Sequence, residues 1–171
     1  MHKTLFRHDR TKFMYFEKPE GSGRNLLVVK NARLYSHDFG GIRSVFHTRS
    51  ICIDIPEEIK DLLIEDGWEV KARISEDEKY DTRYYLPVKI QFNEYGPEIV
   101  KTGPNTPITY TEDNVDTLDD IDMTDIDIVV SPYRSDRKPT ISAFLRELRF
   151  KLSMSPLDYE EDDEDDNLPF E

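Results

Sequence analysis

What this 171-residue chain lacks excludes several classes of protein. It has a single cysteine, Cys52, so no disulfide can form within the chain, and a reducing compartment suits it. The N-terminal sequence has no continuous apolar stretch of the kind found in signal peptides, and no segment is long and apolar enough to span a membrane. The sequence therefore predicts a soluble, cytoplasmic protein.

Residue patterns that support catalysis are also scarce. The chain has four histidines: His2, His8, His37 and His47. Their spacing is typical neither of a zinc site nor of a catalytic triad. The glycines at 21 and 23 lack the preceding strand and the following helix that a phosphate-binding loop requires. We therefore predict a protein that is not an enzyme and that uses no cofactor and no metal.

Charge is present in excess but is distributed in blocks. The net charge is −13, and two segments without any basic residue, 112–127 and 152–171, hold eight and nine of the carboxylates. Two other segments are basic: residues 24–49 carry five basic residues and one acidic, and residues 134–151 carry six and two. A cationic groove on an acidic protein is compatible with this distribution.

The acidic segment 112–127 raises the alternative of a metal-dependent nuclease. Its carboxylates are suitable oxygen ligands for magnesium or calcium. However, the segment has no glycine at the bend that an EF-hand loop requires, and a two-metal nuclease draws its carboxylates from several elements. The sequence favours a solvated acidic loop or a short helix here.

Strand patterns dominate the rest of the chain. Branched and aromatic residues predict strands over Leu26–Tyr35, Val45–Ile55, Trp68–Ile74, Tyr84–Phe92, Ile126–Val130 and Ile141–Leu152. A turn at Gly40 and Gly41 joins the first two into a hairpin. Between strands, Pro56 starts a short helix that ends at Gly67.

These elements predict an all-β protein with one short helix. An oligonucleotide-binding (OB) fold, which is a five-stranded Greek-key barrel, fits best, and a β-sandwich is the alternative. The predicted organisation is an N-terminal arm over 1–23, an OB domain over 24–152 and a flexible acidic tail over 153–171. The arm either adds phosphate contacts through its basic residues or is disordered without function.

Cations interleave with aromatic residues in the predicted domain, as in proteins that bind single-stranded nucleic acid. The candidate binding residues are Arg33, Tyr35, Phe39, Arg43, Phe46, Arg49, Tyr85, Lys89, Tyr133, Arg134, Arg137, Lys138 and Arg146. By strand alternation, four other aromatic residues are assigned to the core: Tyr84, Phe92, Phe144 and Phe150.

The last twelve residues, EEDDEDDNLPFE, combine seven consecutive carboxylates with an apolar tip. The charges repel one another and have nothing apolar to bury, which predicts disorder. A flexible anionic arm with an apolar end is suited to docking on a basic surface. The candidate docking residues are Asp162, Asp163, Asp165, Asp166, Leu168, Pro169 and Phe170.

An OB-like domain followed by a tail ending in DDNLPFE resembles the single-stranded DNA-binding proteins of bacteria and, more closely, of bacteriophages. The segments IPEEIKDLLIEDGWEVKARI, VVSPYR and ISAFLRELRF are similar to the phage-type members. There are two departures from the bacterial pattern: Glu171 follows the terminal phenylalanine, and the linker, residues 153–159, is short.

The resemblance implies a protein that coats single strands during phage replication and recombination, in the cytoplasm of the host. Its binding would be sequence-independent and would weaken as salt rises. The tail would compete with DNA for the basic groove and would recruit replication or recombination proteins. Self-association of the chain into a homo-oligomer is a further expectation.

A different function is an acidic DNA mimic that occupies a host nuclease or restriction enzyme. It would account for the net charge without a DNA-binding groove. It predicts carboxylates spread over the whole folded surface, whereas the sequence concentrates them in two segments.

Overall fold

The computed structural model describes residues 2–7, 13–17, 25–74, 82–94, 96–103 and 105–152. The strands are β1 (His2–Arg7), β2 (Phe13–Glu17), β3 (Leu26–Ala32), β4 (Leu34–Asp38), β5 (Arg49–Ile55), β6 (Lys71–Arg73), β7 (Arg83–Ile90), β8 (Glu98–Gly103), β9 (Ile108–Tyr110), β10 (Met123–Arg134) and β11 (Ile141–Leu152). One α-helix, α1 (Glu57–Asp66), and one 3-10 helix (Val115–Asp120) complete the fold. No helix in the described ranges is long and apolar enough to cross a membrane.

The strands close into a five-stranded barrel. Only Arg33 separates β3 from β4, so these two strands act as one long bent strand that pairs with β10 at one end and with β5 at the other. The remaining pairs are β5 with β7, β7 with β11 and β11 with β10. The β7–β11 pair is parallel, and all the others in the ring are antiparallel. This is the Greek-key connectivity of an OB barrel, so the predicted fold class is confirmed.

Helix α1 covers one end of the barrel, as its sequence signals predict. Pro56 precedes it in extended backbone, and Gly67 ends it in the left-handed conformation, with a φ of 104°. Ile59 and Leu63 of this helix are buried in the core, whereas Leu62 is about half exposed. The opposite end is covered by the 3-10 helix, which buries Val115 and Leu118.

Several predicted boundaries differ from the structure. The second strand begins at Arg49 instead of Val45, because residues 39–48 form a loop of ten residues. Trp68 is buried and makes an isolated bridge to Ile141, and only residues 71–73 of its predicted strand are extended in a sheet. The segment 93–111, to which the sequence analysis assigns no regular strand, contains β8 and β9.

The sheet also continues beyond the predicted start of the domain. Within the range 1–23, β2 pairs with β3 over five residues and β1 pairs with β2, and both pairings are antiparallel. Met14 of β2 is buried in the core. Strands β1 and β2 therefore add an extension to the barrel edge, which the sequence analysis did not predict.

Candidate nucleic-acid interface

Strand β7 separates an apolar inner side from a polar and aromatic outer side. Leu86, Val88 and Ile90 are buried, while Tyr85 and Lys89 point outward between them. The outward side chains of β4, β5, β7 and β11 and of the end of β10 form one continuous surface, which we call the outer face. It includes β5 and β7, which are the second and third strands of the barrel. OB folds bind oligonucleotides through these two strands.

A stacked tyrosine pair lies at one side of the outer face. The rings of Tyr35 and Tyr85 are 4.8 Å apart and are nearly parallel, at 3°. The Arg73 guanidinium donates a hydrogen bond of 3.2 Å to the Tyr35 hydroxyl, and the Arg83 guanidinium lies 5.4 Å from the centre of the Tyr35 ring. Arg83 is in turn paired with Asp54 at 2.9 Å. The structure thus brings the predicted residues Tyr35 and Tyr85 together in an ordered cluster with cations.

A second aromatic cluster lies where β7, β11 and β10 run side by side. The Lys89 ammonium is 5.9 Å from the centre of the Phe144 ring. Tyr133 meets Phe144 edge to face, with ring centres 5.5 Å apart, and 49% of Tyr133 remains exposed. Lys89 and Tyr133 were predicted to bind nucleic acid, and both contact the Phe144 ring on one surface.

Phe144 corrects the sequence analysis, which assigned it to the core. It is partly exposed and lies on the outer face, whereas Phe150 of the same strand is fully buried. The pairing of β10 with β11 shifts register between the pairs Val129–Glu147 and Val130–Leu145, which marks a bulge. A bulge adds one residue to a strand, so the alternation of side chains between the two faces is inverted beyond it. Phe144 and Phe150 lie on the two sides of this bulge and therefore point to opposite faces.

The 39–48 loop joins the first and second strands of the barrel, at the position called L12 in OB folds. Two carboxylates hold the start of this loop. Asp38 accepts hydrogen bonds of 3.0 Å from the backbone N–H groups of Ile42 and Arg43. Asp119 of the 3-10 helix accepts hydrogen bonds from the N–H groups of Phe39 (2.8 Å) and Gly40 (2.9 Å). These contacts fix the start of the loop and direct its tip into solvent.

Asp119 also accepts a hydrogen bond of 2.9 Å from the Nδ1 atom of His37, if the ring carries its proton there. Burial raises the pKa of Asp119, but the hydrogen bonds from His37 and from the two backbone groups outweigh it, and the pKa lies below its ordinary value of 3.8. Because the folded-state pKa is depressed, the carboxylate stabilises the fold fully above that ordinary value, and this contribution is lost as the pH falls through the lowered pKa.

The substitution Asp119→Asn tests how much the Asp119 carboxylate stabilises the start of the 39–48 loop. We expect it to cost roughly 1 kcal/mol of unfolding free energy at neutral pH, because part-buried N–H groups lose charged acceptors. The difference between the two proteins should narrow as the pH falls below 3.8. Thermal unfolding of both proteins from pH 2 to pH 7 measures this difference in unfolding free energy. A difference that does not change with pH would contradict the assigned role of the carboxylate.

The tip of the 39–48 loop exposes three large apolar side chains. Ile42 is 79% exposed, and Val45 and Phe46 are each 87% exposed, with the exposed Arg43 between them. Phe46 and Arg43 were predicted as binding residues, and both are available at the tip. Ile42 and Val45 were missed, because the sequence alone places them in or beside a strand.

Phe39 is the clearest correction at this site. It was predicted to bind nucleic acid, but it is fully buried in the core. Its backbone N–H is held by Asp119, a residue eighty positions later in the chain, which draws Phe39 against the buried side of the 3-10 helix. A side chain with no exposed surface cannot stack on a base.

Basic residues lie at the opposite end of the outer face. They are in and beside the loop that joins β10 and β11, the fourth and fifth strands of the barrel, at the position called L45 in OB folds. Arg134 at the end of β10 and Arg137 and Lys138 in the 135–140 loop are exposed. Lys138 pairs with Glu69 at 3.2 Å. Burial raises the pKa of Glu69, but the hydrogen bonds from Lys138 and Thr140 outweigh it, so the pKa is lower than usual. Lys138 is therefore partly neutralised by the protein itself.

Two grooves lie on either side of Tyr133. One has a volume of about 430 Å³ and is lined by Trp68, Ile141 and Arg134 among others. The other, about 610 Å³, runs over Phe144 and Arg146 to Gln91. Both volumes are within the range of sites that hold small ligands, which is about 300–1,000 Å³. Pro132 and Tyr133 line both grooves, so each groove offers an aromatic surface beside a cation.

Two predicted cations are not part of this surface. Arg49 is only a quarter exposed, pairs with Glu112 at 3.4 Å and lies 5.7 Å from the centre of the Phe92 ring. Arg33 is exposed but lines a separate groove of about 550 Å³ together with Asp122 and Asp125. Carboxylates at that groove would repel phosphates, so we do not include Arg33 in the interface.

The ion pairs divide the cations into two groups. In the ranges that the structure describes, ten ion pairs are formed, on other surfaces by Lys30 with Asp127 and Lys151 with Asp125 among others, and at the outer face by Arg83 with Asp54 and Lys138 with Glu69. Five other cations on and around the outer face form no ion pair within those ranges: Arg43, Lys89, Arg134, Arg137 and Arg146. Their charges are available to an external anion. In the same described ranges, no group of three His, Cys, Asp or Glu side chains is arranged to hold a metal ion.

The predicted docking residues of the tail, 162–170, lie outside the described residues, as do Arg10 and Lys12 of the predicted arm. Their roles remain predictions.

Comparisons with known proteins identify the family. The model of the family described as "Putative phage ssDNA-binding domain" matches residues 22–163, which is most of the chain. The chain therefore belongs to this family. No curated protein is similar enough in sequence to match it.

The fold was also compared with solved structures. The single-stranded DNA-binding protein from bacteriophage Enc34 is 11% identical and aligns over 90% of this chain and 92% of its own, with a TM-score of 0.49. A C-terminal truncation of that protein is 11% identical, with coverage of 90% and 96% and the same score. Its complex with single-stranded DNA is 12% identical, with coverage of 89% and 96% and again a TM-score of 0.49.

Proposed function

We propose that this member of the phage ssDNA-binding domain family binds single-stranded DNA across its outer face. The observation that carries the proposal is the placement of five unpaired cations among exposed aromatic rings on one side of an OB barrel. Such surfaces bind single strands through phosphate contacts and base stacking, which depend little on sequence. The protein acts by binding, and the proposal assigns it no enzymatic step.

The path of the strand follows from the two framing loops. The 39–48 loop and the 135–140 loop stand at opposite ends of β5 and β7, because Arg49 pairs with Ile90 whereas Ile141 bridges to Trp68 beyond the other end. A strand lying between them crosses the aromatic clusters of the outer face. Bases stack on the Tyr85 and Tyr133 clusters, and Phe46 at the loop tip covers the strand from above.

Salt dependence tests the phosphate contacts. If the five unpaired cations each neutralise one phosphate, the logarithm of the binding constant falls against the logarithm of salt concentration with a slope of about −3.5. Fluorescence anisotropy of a labelled oligothymidylate, titrated with the full chain at several salt concentrations, measures this slope. Absence of binding at low salt would overturn the proposal and would favour the DNA-mimic alternative.

A paired substitution locates the contacts on the outer face. Lys89→Ala should weaken binding and make the slope less negative by about 0.7, as one phosphate contact is lost. Lys30→Ala is the matched control, because Lys30 is already paired with Asp127 on another surface at 3.8 Å. The control protein should retain the slope of the parent; an equal change in both would place the phosphates elsewhere.

We also propose the biological setting. Coating of single strands serves phage DNA replication and recombination, where exposed strands need protection. The tail 153–171 regulates this coating by competing for the outer face, and Leu168, Pro169 and Phe170 dock replication or recombination proteins. The concentration of carboxylates in the tail and its apolar end support this part of the proposal.

A further inference from the structure

The groove beside Tyr133 that leads to Gln91, here called the amide groove, differs from the rest of the outer face in its chemistry. Phe144 and Tyr133 supply aromatic surface, and Arg146 supplies an exposed cation. Gln91 and Asn93, which carry side-chain amides and are here called the amide rim, also line the groove, and Ser131 adds a hydroxyl beside Phe144. Amides and hydroxyls can bind phosphate oxygens, but an amide also offers the paired donor and acceptor that match the edge of a base, so this groove is suited to base recognition.

The amide rim is held in place by local structure. The backbone N–H of Asn93 donates to the carbonyl of Gly96 at 2.8 Å, and the N–H of Gly96 donates back to the carbonyl of Asn93 at 3.2 Å. Gln91 follows β7 directly and has the parity of the outward Lys89, so its side chain lies on the outer face. The paired backbone hydrogen bonds fix the chain at Asn93, which lowers the entropy cost of ordering this end of the rim when a ligand binds.

The chemistry of the rim points to purines. A side-chain amide makes a bidentate pair with N6 and N7 of adenine, and a guanidinium makes one with O6 and N7 of guanine. Both pairs use N7, an acceptor that pyrimidines lack. The two rings of a purine also give more stacking surface against Phe144 and Tyr133 than the single ring of a pyrimidine.

We infer that the amide groove seats one base of the bound strand and prefers a purine there, which it recognises through the N7 edge. This rests on the proposed function and adds a base preference at a single subsite to binding that is otherwise sequence-independent. The phosphates remain with the cations around the groove, so the preference is modest in comparison with the total affinity.

The test compares oligothymidylates of equal length that carry one central substitution: adenine, guanine, cytosine or 7-deazaadenine. The protein can shift along the strand to bring the purine into the groove. We expect adenine and guanine to raise affinity by about tenfold over the parent oligonucleotide. Cytosine and 7-deazaadenine should raise it by less than about threefold, since both lack N7.

Gln91→Ala should abolish most of the adenine preference, because it removes the side-chain amide that pairs with N6 and N7. Asn105→Ala is the matched control: Asn105 is an exposed amide that does not line the groove, and its loss should leave the preference intact. Equal affinity for all the oligonucleotides, or a preference that survives Gln91→Ala, would overturn the inference while the proposed function stands. Failure to bind any of them would instead overturn the proposed function.

Discussion

Replacing Tyr133 with alanine is expected to weaken the binding of single-stranded DNA by tenfold or more. Stacking of a base on an aromatic side chain contributes about 1–3 kcal/mol by alanine substitution. Tyr133 is placed to contribute at the upper end of that range, because it lines both grooves and can contact bases in each of them. Because half of the Tyr133 side chain is exposed, we expect the substitution to change the stability of the fold little.

Three proteins make this measurement decisive. Tyr133→Phe keeps the ring and should retain most of the affinity, which separates stacking from hydrogen bonding by the hydroxyl. Ile64→Ala removes an equally exposed apolar side chain, 49% for each residue, from α1 and should have no effect on binding. If Tyr133→Ala binds as tightly as the parent with an unchanged salt slope, the bases do not lie on this part of the outer face.

Phe144 extends the same argument to a residue that the sequence misassigned. Phe144→Leu keeps apolar volume beneath Tyr133 but removes the ring that the Lys89 ammonium and the Tyr133 edge contact. If Tyr133 and Phe144 form one stacking platform, their double variant should lose less affinity than the sum of the two single losses. Additive losses would mean that the two rings contact separate bases.

The fold was largely predictable because local signals agreed with one another. The alternation in β7 identified its buried face, and Pro56 and Gly67 marked the ends of α1 closely. These signals depend on residues that are near in sequence, and each is read without knowledge of the rest of the chain. The five barrel strands follow from such patterns, and with them the OB connectivity.

The errors have a different origin, since each depends on contacts between distant segments. Phe39 becomes a core residue because Asp119 holds its backbone, and no pattern around Phe39 contains that information. Phe144 points outward because a bulge between β10 and β11 inverts the alternation of β11. The strand predicted from Trp68 is reduced to Lys71–Arg73, and Trp68 instead makes an isolated bridge to the distant Ile141. Pairings between distant strands decide which aromatic residues stay available, so the candidate site was less predictable than the fold.

Ending the chain at Met154 is the change expected to increase affinity for single-stranded DNA most. The removed segment carries nine carboxylates and no basic residue, so it takes the net charge of −13 to −4. If the tail competes for the unpaired cations of the outer face, its removal should tighten binding by about tenfold or more at low salt. The gain should shrink as salt rises, because salt screens the attraction between the tail and the outer face.

A variant with the same net charge separates competition by the tail for the outer face from general repulsion between the tail and DNA. Replacing Leu168 and Phe170 with serine keeps every carboxylate and removes the apolar tip. If charge alone drives the competition, this protein should bind DNA as the parent does, and only its docking of partner proteins should fail. If the tip anchors the tail in a groove of the outer face, it should instead bind nearly as tightly as the chain ending at Met154. Equal affinity of all three proteins at every salt concentration would show that the tail does not regulate DNA binding, and the outer face would then act without it.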